Sequence, residues 1–201
     1  IKVNEALAQA IAWADVIALG PGLGRSRTAC RIAEQVLLTA DIPVIADADA
    51  LNIIAEKTEL LASASAALVV TPHLGEMARL CGRQIPDIQN SLRSTAEQFA
   101  ARYHVICVLK DAVTVTAGPS GTWLNTSGCS AMAKGGSGDI LTGIIAALAA
   151  QGMEPEAAAR MGVYLHGLAG EAAALQKGSY SVLARDLLHA AGTVFHTWAD
   201  E

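Results

Sequence analysis

The chain is poor in aromatic residues and in charge. Phe, Trp and Tyr make up 4% of its 201 residues, and Asp, Glu, Lys and Arg only 16%. Net charge is −5 and Lys and Arg form no cluster, so nucleic acid is not an expected partner. Long apolar runs are missing too: Gly, Asp or His interrupts each within about 15 residues, which excludes a membrane span. The four cysteines, Cys30, Cys81, Cys107 and Cys129, are widely spaced, with no Cys-x-x-Cys and no metal-ligand pattern. They read as reduced thiols of a cytoplasmic protein, the first three as core filler. The absence of G-x-x-x-x-G-K-[ST] excludes an ordinary P-loop. Gly20-x-Gly22-x-Gly24 lacks the third glycine at the dinucleotide-binding offset. No signal peptide, repeat, linker or low-complexity tract is present, and the opening Ile1-Lys2-Val3-Asn4-Glu5 reads as a cut rather than a natural start.

What is present is apolar. Hydrophobic residues are 52% of the chain and mean hydropathy is +0.37, which suits strands buried on both faces and alanine-rich helices in one α/β domain. Helical spacing from Val3 to Trp13 leads into a strand at Asp15–Leu19. Helix Thr28–Ala40 and strands Pro43–Ala46 and Ala67–Val70 follow, then helix Met77–Cys81, helix Asp87–Tyr103 and strand Val105–Leu109. Thr114–Ala117 and Thr122–Leu124 flank Gly118-Pro119-Ser120-Gly121 as a hairpin with a longer turn. Helices at Ile140–Ala150, Pro155–Ala174 and Ala184–Trp198 end the chain. This alternation predicts a mostly parallel central sheet flanked by helices on both faces, with a late antiparallel hairpin.

The unusual residues fall at strand ends. Gly20–Gly24, Asp47–Asn52, Thr71–Glu76 and Lys110–Thr114 each follow a strand, and in a parallel sheet those ends share one rim, where ligands bind. To this edge Gly135, Gly136 and Gly138 add a turn opening a helix, whose free N–H groups and dipole attract an anion. Asp139 at its mouth is out of place for phosphate binding alone and fits a proton acceptor beside held phosphate charge. Plainer roles stay open at this point: Asp139 as an N-cap, Asp47 and Asp49 as caps of a following helix, Glu76 as a dipole partner. His73 could equally be a helix-start residue, and Lys110 a solvated strand end. His104, His166, His189 and His196 have no partner pattern and read as structural.

Five segments, in order, carry a family resemblance: G-P-G-L-G at Gly20–Gly24, D-A-D-A-L-N at Asp47–Asn52, T-P-H-L-G-E at Thr71–Glu76, V-L-K at Val108–Lys110 and M-A-K-G-G-S-G-D-I-L-T-G at Met132–Gly143. Together they resemble the ADP-dependent NAD(P)H-hydrate dehydratases, the carboxyl-terminal domain of the bifunctional nicotinamide nucleotide repair proteins. The resemblance covers essentially the whole chain. It implies a ribokinase-like fold, with residues 1–201 as a single domain lacking its N-terminal strands, since members carry roughly 70–80 residues more ahead of this start.

The resemblance implies that the S epimer of hydrated NADH or NADPH (NADHX or NADPHX) is dehydrated to NADH or NADPH. ADP, or ATP in eukaryotic members, is the co-substrate, and AMP and phosphate leave after a phosphorylated intermediate. Asp139 would be the catalytic base. Gly22, Gly24, His73 and Asp139 would contact the hydrated nicotinamide. Lys110, Asp111, Ala112, Val113 and Thr114, with Gly135, Gly136, Ser137 and Gly138, would hold the adenine nucleotide. Glu76 would help place Mg2+ through water. Expected partners are a homo-oligomer, tetrameric by family resemblance, and a fused or separate NAD(P)HX epimerase. The chain departs from the family pattern at Asp111, where glycine is usual, an acidic side chain expected to weaken nucleotide binding. The loop Asn125–Ser130 also lacks the usual Gly-Asn pair. Two other readings share Asp139 or the nucleotide cradle: a ribokinase-like kinase of hydroxymethylpyrimidine or thiazole alcohols, and a truncated, non-catalytic nucleotide-binding paralogue.

Overall fold

Alternating strand residues belong to two separate cores, and this organises the molecule. A computed structural model describes residues 5–199; Val3, the expected start of the first helix, lies outside them. In order, α1 (Glu5–Trp13), β1 (Ile17–Leu19), α2 (Arg27–Thr39), β2 (Val44–Ala46), α3 (Asp49–Glu56), α4 (Glu59–Ala62) and β3 (Leu68–Val70) lead to α5 (Leu74–Cys81). Then come α6 (Ile85–Gln89), α7 (Leu92–Tyr103), β4 (Ile106–Leu109), β5 (Thr114–Gly118) and β6 (Gly121–Asn125). A 3-10 turn at Ser130–Met132 precedes α8 (Ser137–Ala150), α9 (Pro155–Lys177) and α10 (Ala184–Ala199).

The sheet has six strands in chain order. β1 to β4 run parallel, and β4–β5 and β5–β6 pair antiparallel. Side chains of a strand alternate between faces. Val44, Leu68, Val70, Cys107 and Leu109 accordingly pack under α2 to α7, while Ile45, Val69, Ile106 and Val108 pack under α8, α9 and α10. Each fully buried Leu or Ile in these layers contributes about 1.5–3 kcal/mol.

All six strand readings hold, but the hairpin turn is tight rather than long, because β5 and β6 pair out to Gly118 and Gly121; the other departures lie in helices. Asp47–Asn52 is not a loop throughout, because α3 begins at Asp49 and buries Ala50, Leu51, Ile53 and Ile54. The helix expected over Asp87–Tyr103 breaks in two at Asn90–Ser91. Arg83 holds the break, donating to the Asp87 carbonyl, Ser91 Oγ and Thr95 Oγ1, each at 3.1 Å. The last long helix but two starts at Ser137, not Ile140.

Candidate functional site

The rim of the parallel strands is tied together by a buried ion pair. Lys110 Nζ, just past β4, lies 2.9 Å from Asp47 Oδ1, just past β2, and Thr142 Oγ1 of α8 donates to Asp47 Oδ2 at 2.9 Å. Asp47 is 2% exposed. Burial alone would raise its pKa, but the Lys110 charge and the bonds from Lys110, Thr142 and Thr71 outweigh it, leaving the carboxyl below its ordinary value. The first rim loop closes onto this point. Gly20 has φ +122°, and a Cβ there would stand 1.8 Å from the Asp47 carbonyl oxygen, so only glycine permits the approach. Gly24 N–H donates to Asp49 Oδ2 at 2.8 Å, joining that loop to the start of α3. Both aspartates therefore have structural partners, but neither caps α3 as the plainer reading had it: the N-cap is Ala48, with no side-chain cap bond.

His73 and Glu76 form a reciprocal cap on α5. His73 Nδ1 accepts from the amides of Gly75 (2.9 Å) and Glu76 (3.4 Å), and Glu76 Oε2 accepts from the His73 amide at 2.9 Å. An Nδ1 that accepts places the neutral ring's proton on Nε2, which lies 3.4 Å from Glu76 Oε1. Burial pushes the Glu76 carboxyl up from its usual range, against the lowering by the His73 amide and Lys110. A backbone bridge between His73 and Lys110 extends the β3–β4 pairing to the rim.

The glycine-rich stretch opens α8 through Gly136, an N-cap with φ +86° that offers no side-chain acceptor. Ser137 N–H donates to the Lys134 carbonyl at 3.4 Å, and the amides after it have no side-chain cap and can meet an outside anion. Asp139 is not the cap. It lies in the first turn, exposed, while Ser137 is buried on another side of the same turn. A Cβ on Gly138 would come 3.1 Å from Lys110 Nζ, so this turn rests against the ion pair.

Beside that turn opens a cleft of about 750 Å³, of the size that holds a small ligand. His73, Lys110, Asp111, Ala112, Thr114, Ser137 and Gly138 line it. Gly22, Gly24, Glu76, Val113, Gly135, Gly136 and Asp139 do not; they belong to the surrounding rim and turn. The far wall is the Asn125–Ala133 segment docked on α9. Ser127 Oγ donates to the Tyr164 carbonyl at 3.1 Å, and Glu171 Oε1 accepts from Gly128 N–H at 2.7 Å. The wall needs Gly167, where a Cβ would fall 2.1 Å from Ser127 Oγ. Gly167→Ala is expected to cost about 1–3 kcal/mol in thermal melting through this overpacking.

His166, read as structural from sequence, is in the cleft lining, with Nε2 3.3 Å from Ser137 Oγ. The available signal was a lone imidazole on the small, buried stripe of α9 formed by Gly162, Val163, Gly170 and Ala173. Burial drives its pKa from 6.5 down to about 4; a hydrogen bond with the Ser137 backbone opposes this and Lys110 adds to it. The unfolded chain therefore binds a proton below 6.5 that the folded chain refuses until about 4. Stability is expected to be full above 6.5 and to fall by about 3 kcal/mol across that window. Denaturant midpoints against pH should show this slope in the wild type and not in His166→Gln.

The NAD(P)H-hydrate dehydratase family profile matches residues 2–192. A bifunctional NAD(P)H-hydrate repair enzyme of Moorella thermoacetica is 44% identical over 92% of this chain, which spans 35% of that protein's length. The crystal structure of ADP/ATP-dependent NAD(P)H-hydrate dehydratase from Bacillus subtilis, co-crystallised with ATP/Mg2+ and soaked with CoA, superposes with TM-score 0.80. It is 34% identical, covering 91% of this chain and 66% of that one. A ribokinase-like superfamily protein from Enterococcus faecalis has TM-score 0.83 at 30% identity, covering 96% and 67%. The sheet order, the glycine-opened helix and these similarities agree: the fold is ribokinase-like, and the chain belongs to the NAD(P)H-hydrate dehydratase family.

Proposed function

We propose that this chain dehydrates the S epimer of NADHX or NADPHX at the expense of ADP, as part of nicotinamide nucleotide repair. The observation that carries the reading is one cleft joining Ser137 and Gly138 at the N-terminus of α8, Lys110, and the Asp111–Thr114 turn. That set offers backbone N–H groups and a cation to a polyphosphate, with Asp139 exposed on the same turn.

The hydrate's hydroxyl oxygen attacks the terminal phosphorus of ADP as its proton passes to Asp139, and the bond from that phosphorus to AMP breaks. The ring nitrogen's electron pair then expels phosphate, and loss of a ring proton restores the nicotinamide double bond. Hydrate and ADP thus give NADH or NADPH, AMP and phosphate. Gly22, Gly24 and His73 are the proposed contacts of the hydrated ring. Ala112, Val113, Gly135 and Gly136 complete the proposed nucleotide cradle.

Among the described residues no three His, Cys, Asp or Glu side chains gather as a metal cage. Mg2+ keeps waters and relies on substrate phosphates with one or two carboxylates, so its binding does not require such a cage. Glu76 is the candidate to reach it through water, and the ion would neutralise phosphate charge when bound. We further assign the chain to the cytoplasm, as a single domain and a homo-oligomer, working with a fused or separate NAD(P)HX epimerase. The bifunctional name of the Moorella relative supports the last of these. No helix among the described residues is long and apolar enough to cross a membrane.

The test follows absorbance. With ADP and Mg2+, hydrated NADH should lose its own band as the NADH band grows. An absent NADH band, or a stable phosphorylated alcohol in its place, would defeat the reading.

A further inference from the structure

We propose that His166 is a positioning residue: from the cleft floor it holds the Ser137 hydroxyl, and through it the first turn of α8, in the attitude that receives phosphate. The inference rests on reading the cleft as the nucleotide site. His166 is 8% exposed and Ser137 7%, and their side chains meet at 3.3 Å between α9 and α8. The turn has no side-chain cap of its own, because its N-cap is Gly136. What keeps its free amides aimed at the cleft must come from elsewhere in the fold, and a hydrogen bond from a packed neighbouring helix supplies it. Gly138, the next residue, lies against Lys110. The turn thus has both the lysine and the imidazole as neighbours. The ring is neutral at ordinary pH, since burial keeps its pKa at about 4, so it braces without adding charge to the phosphate site.

Neither side chain is assigned a contact with the reacting atoms, so the test needs a readout that simple packing would not move. Calorimetric titration of the full-length protein with ADP provides it. His166→Leu is expected to weaken ADP binding about tenfold, the effect of one lost hydrogen bond to a charged-ligand site. Ser137→Ala should do the same, and the double variant should be no worse than either single one, because both remove one interaction. His166→Gln, which keeps a nitrogen near the Nε2 position, should bind within about twofold of wild type.

Additive losses in the double variant would mean that the two residues act separately and would overturn the inference. So would a Ser137→Ala protein that binds ADP normally, which decides the matter even where His166→Leu fails to fold. A His166→Gln protein as impaired as His166→Leu also overturns it. Wild-type protein that does not bind ADP would remove both this inference and the nucleotide reading. The binding pattern without any NADH formation would uphold this inference and sink only the dehydratase reading.

Discussion

Replacing Asp139 by asparagine is expected to lower dehydratase turnover by about a hundred- to ten-thousandfold, the range for loss of a general base. Adenine-nucleotide affinity should stay nearly unchanged. The position of the carboxylate separates the two effects. It projects from the first turn of α8 into solvent and is absent from the cleft lining, whereas Ser137 and Gly138 of the same turn face the cleft. Asparagine keeps the size and the helix start, so the amides that hold phosphate survive. Its loss to stability is confined to one favourable charge at a helix N-terminus, worth about 0.3–1 kcal/mol. Steady-state kinetics with hydrated NADH, paired with ADP titration, separates the two effects. Turnover retained in Asp139→Asn would disprove the base; ADP affinity lost with it would mean that Asp139 belongs to the phosphate cradle.

The largest effect on stability is expected from Lys110→Met. The lysine is 19% exposed and its partner carboxylate 3%. Removing only the cation leaves Asp47 buried with hydroxyl donors but no counter-charge, which costs about 3–5 kcal/mol. The double variant Lys110→Met with Asp47→Leu should recover most of that loss, because both charges have then gone. The sign of the acid dependence follows from the same pair. Asp47 has a folded pKa below its ordinary 3.8, so its contribution is present above 3.8 and is lost as pH falls through the folded value. Wild-type stability should therefore drop steeply in strong acid, below the His166 window, and the double variant should be flatter there. A single Lys110→Met protein as stable as wild type would refute the view that this pair braces the rim. ADP affinity restored in the stable double variant would show that Lys110 acts on the fold and not on phosphate.

Strands were legible because their cause is local. Runs such as Val105–Leu109 are apolar at every position, which fits only a strand covered on both faces, and Gly118-Pro119-Ser120-Gly121 can only turn. The rim loops were legible for a related reason: parallel strands put their ends on one edge whatever packs on the sheet. The helix register was harder to read. Ser137 opens α8 earlier than apolar periodicity indicated, because small and polar residues carry its first turn, and α3 opens at Asp49 inside the segment read as a rim loop. The split at Asn90–Ser91 depends on Arg83 reaching three acceptors across two helices, and no local pattern announces that.

Chain order and residue type alone established the α/β alternation, the shared rim, the glycine-opened helix and the family, since each follows from neighbours within a few residues or from motifs in sequence. Side-chain partnership across distance came from the folded chain. Asp47 and Lys110 are 63 positions apart and Ser137 and His166 are 29, yet each pair meets within hydrogen-bond reach. Which face of one helical turn looks into the cleft and which toward solvent also depends on how α8 is rotated against the sheet and α9. Ile145 of α8 packs on Gly162 of α9, and Met132 in the turn before α8 packs on Gly170, contacts between residues that are distant in the chain.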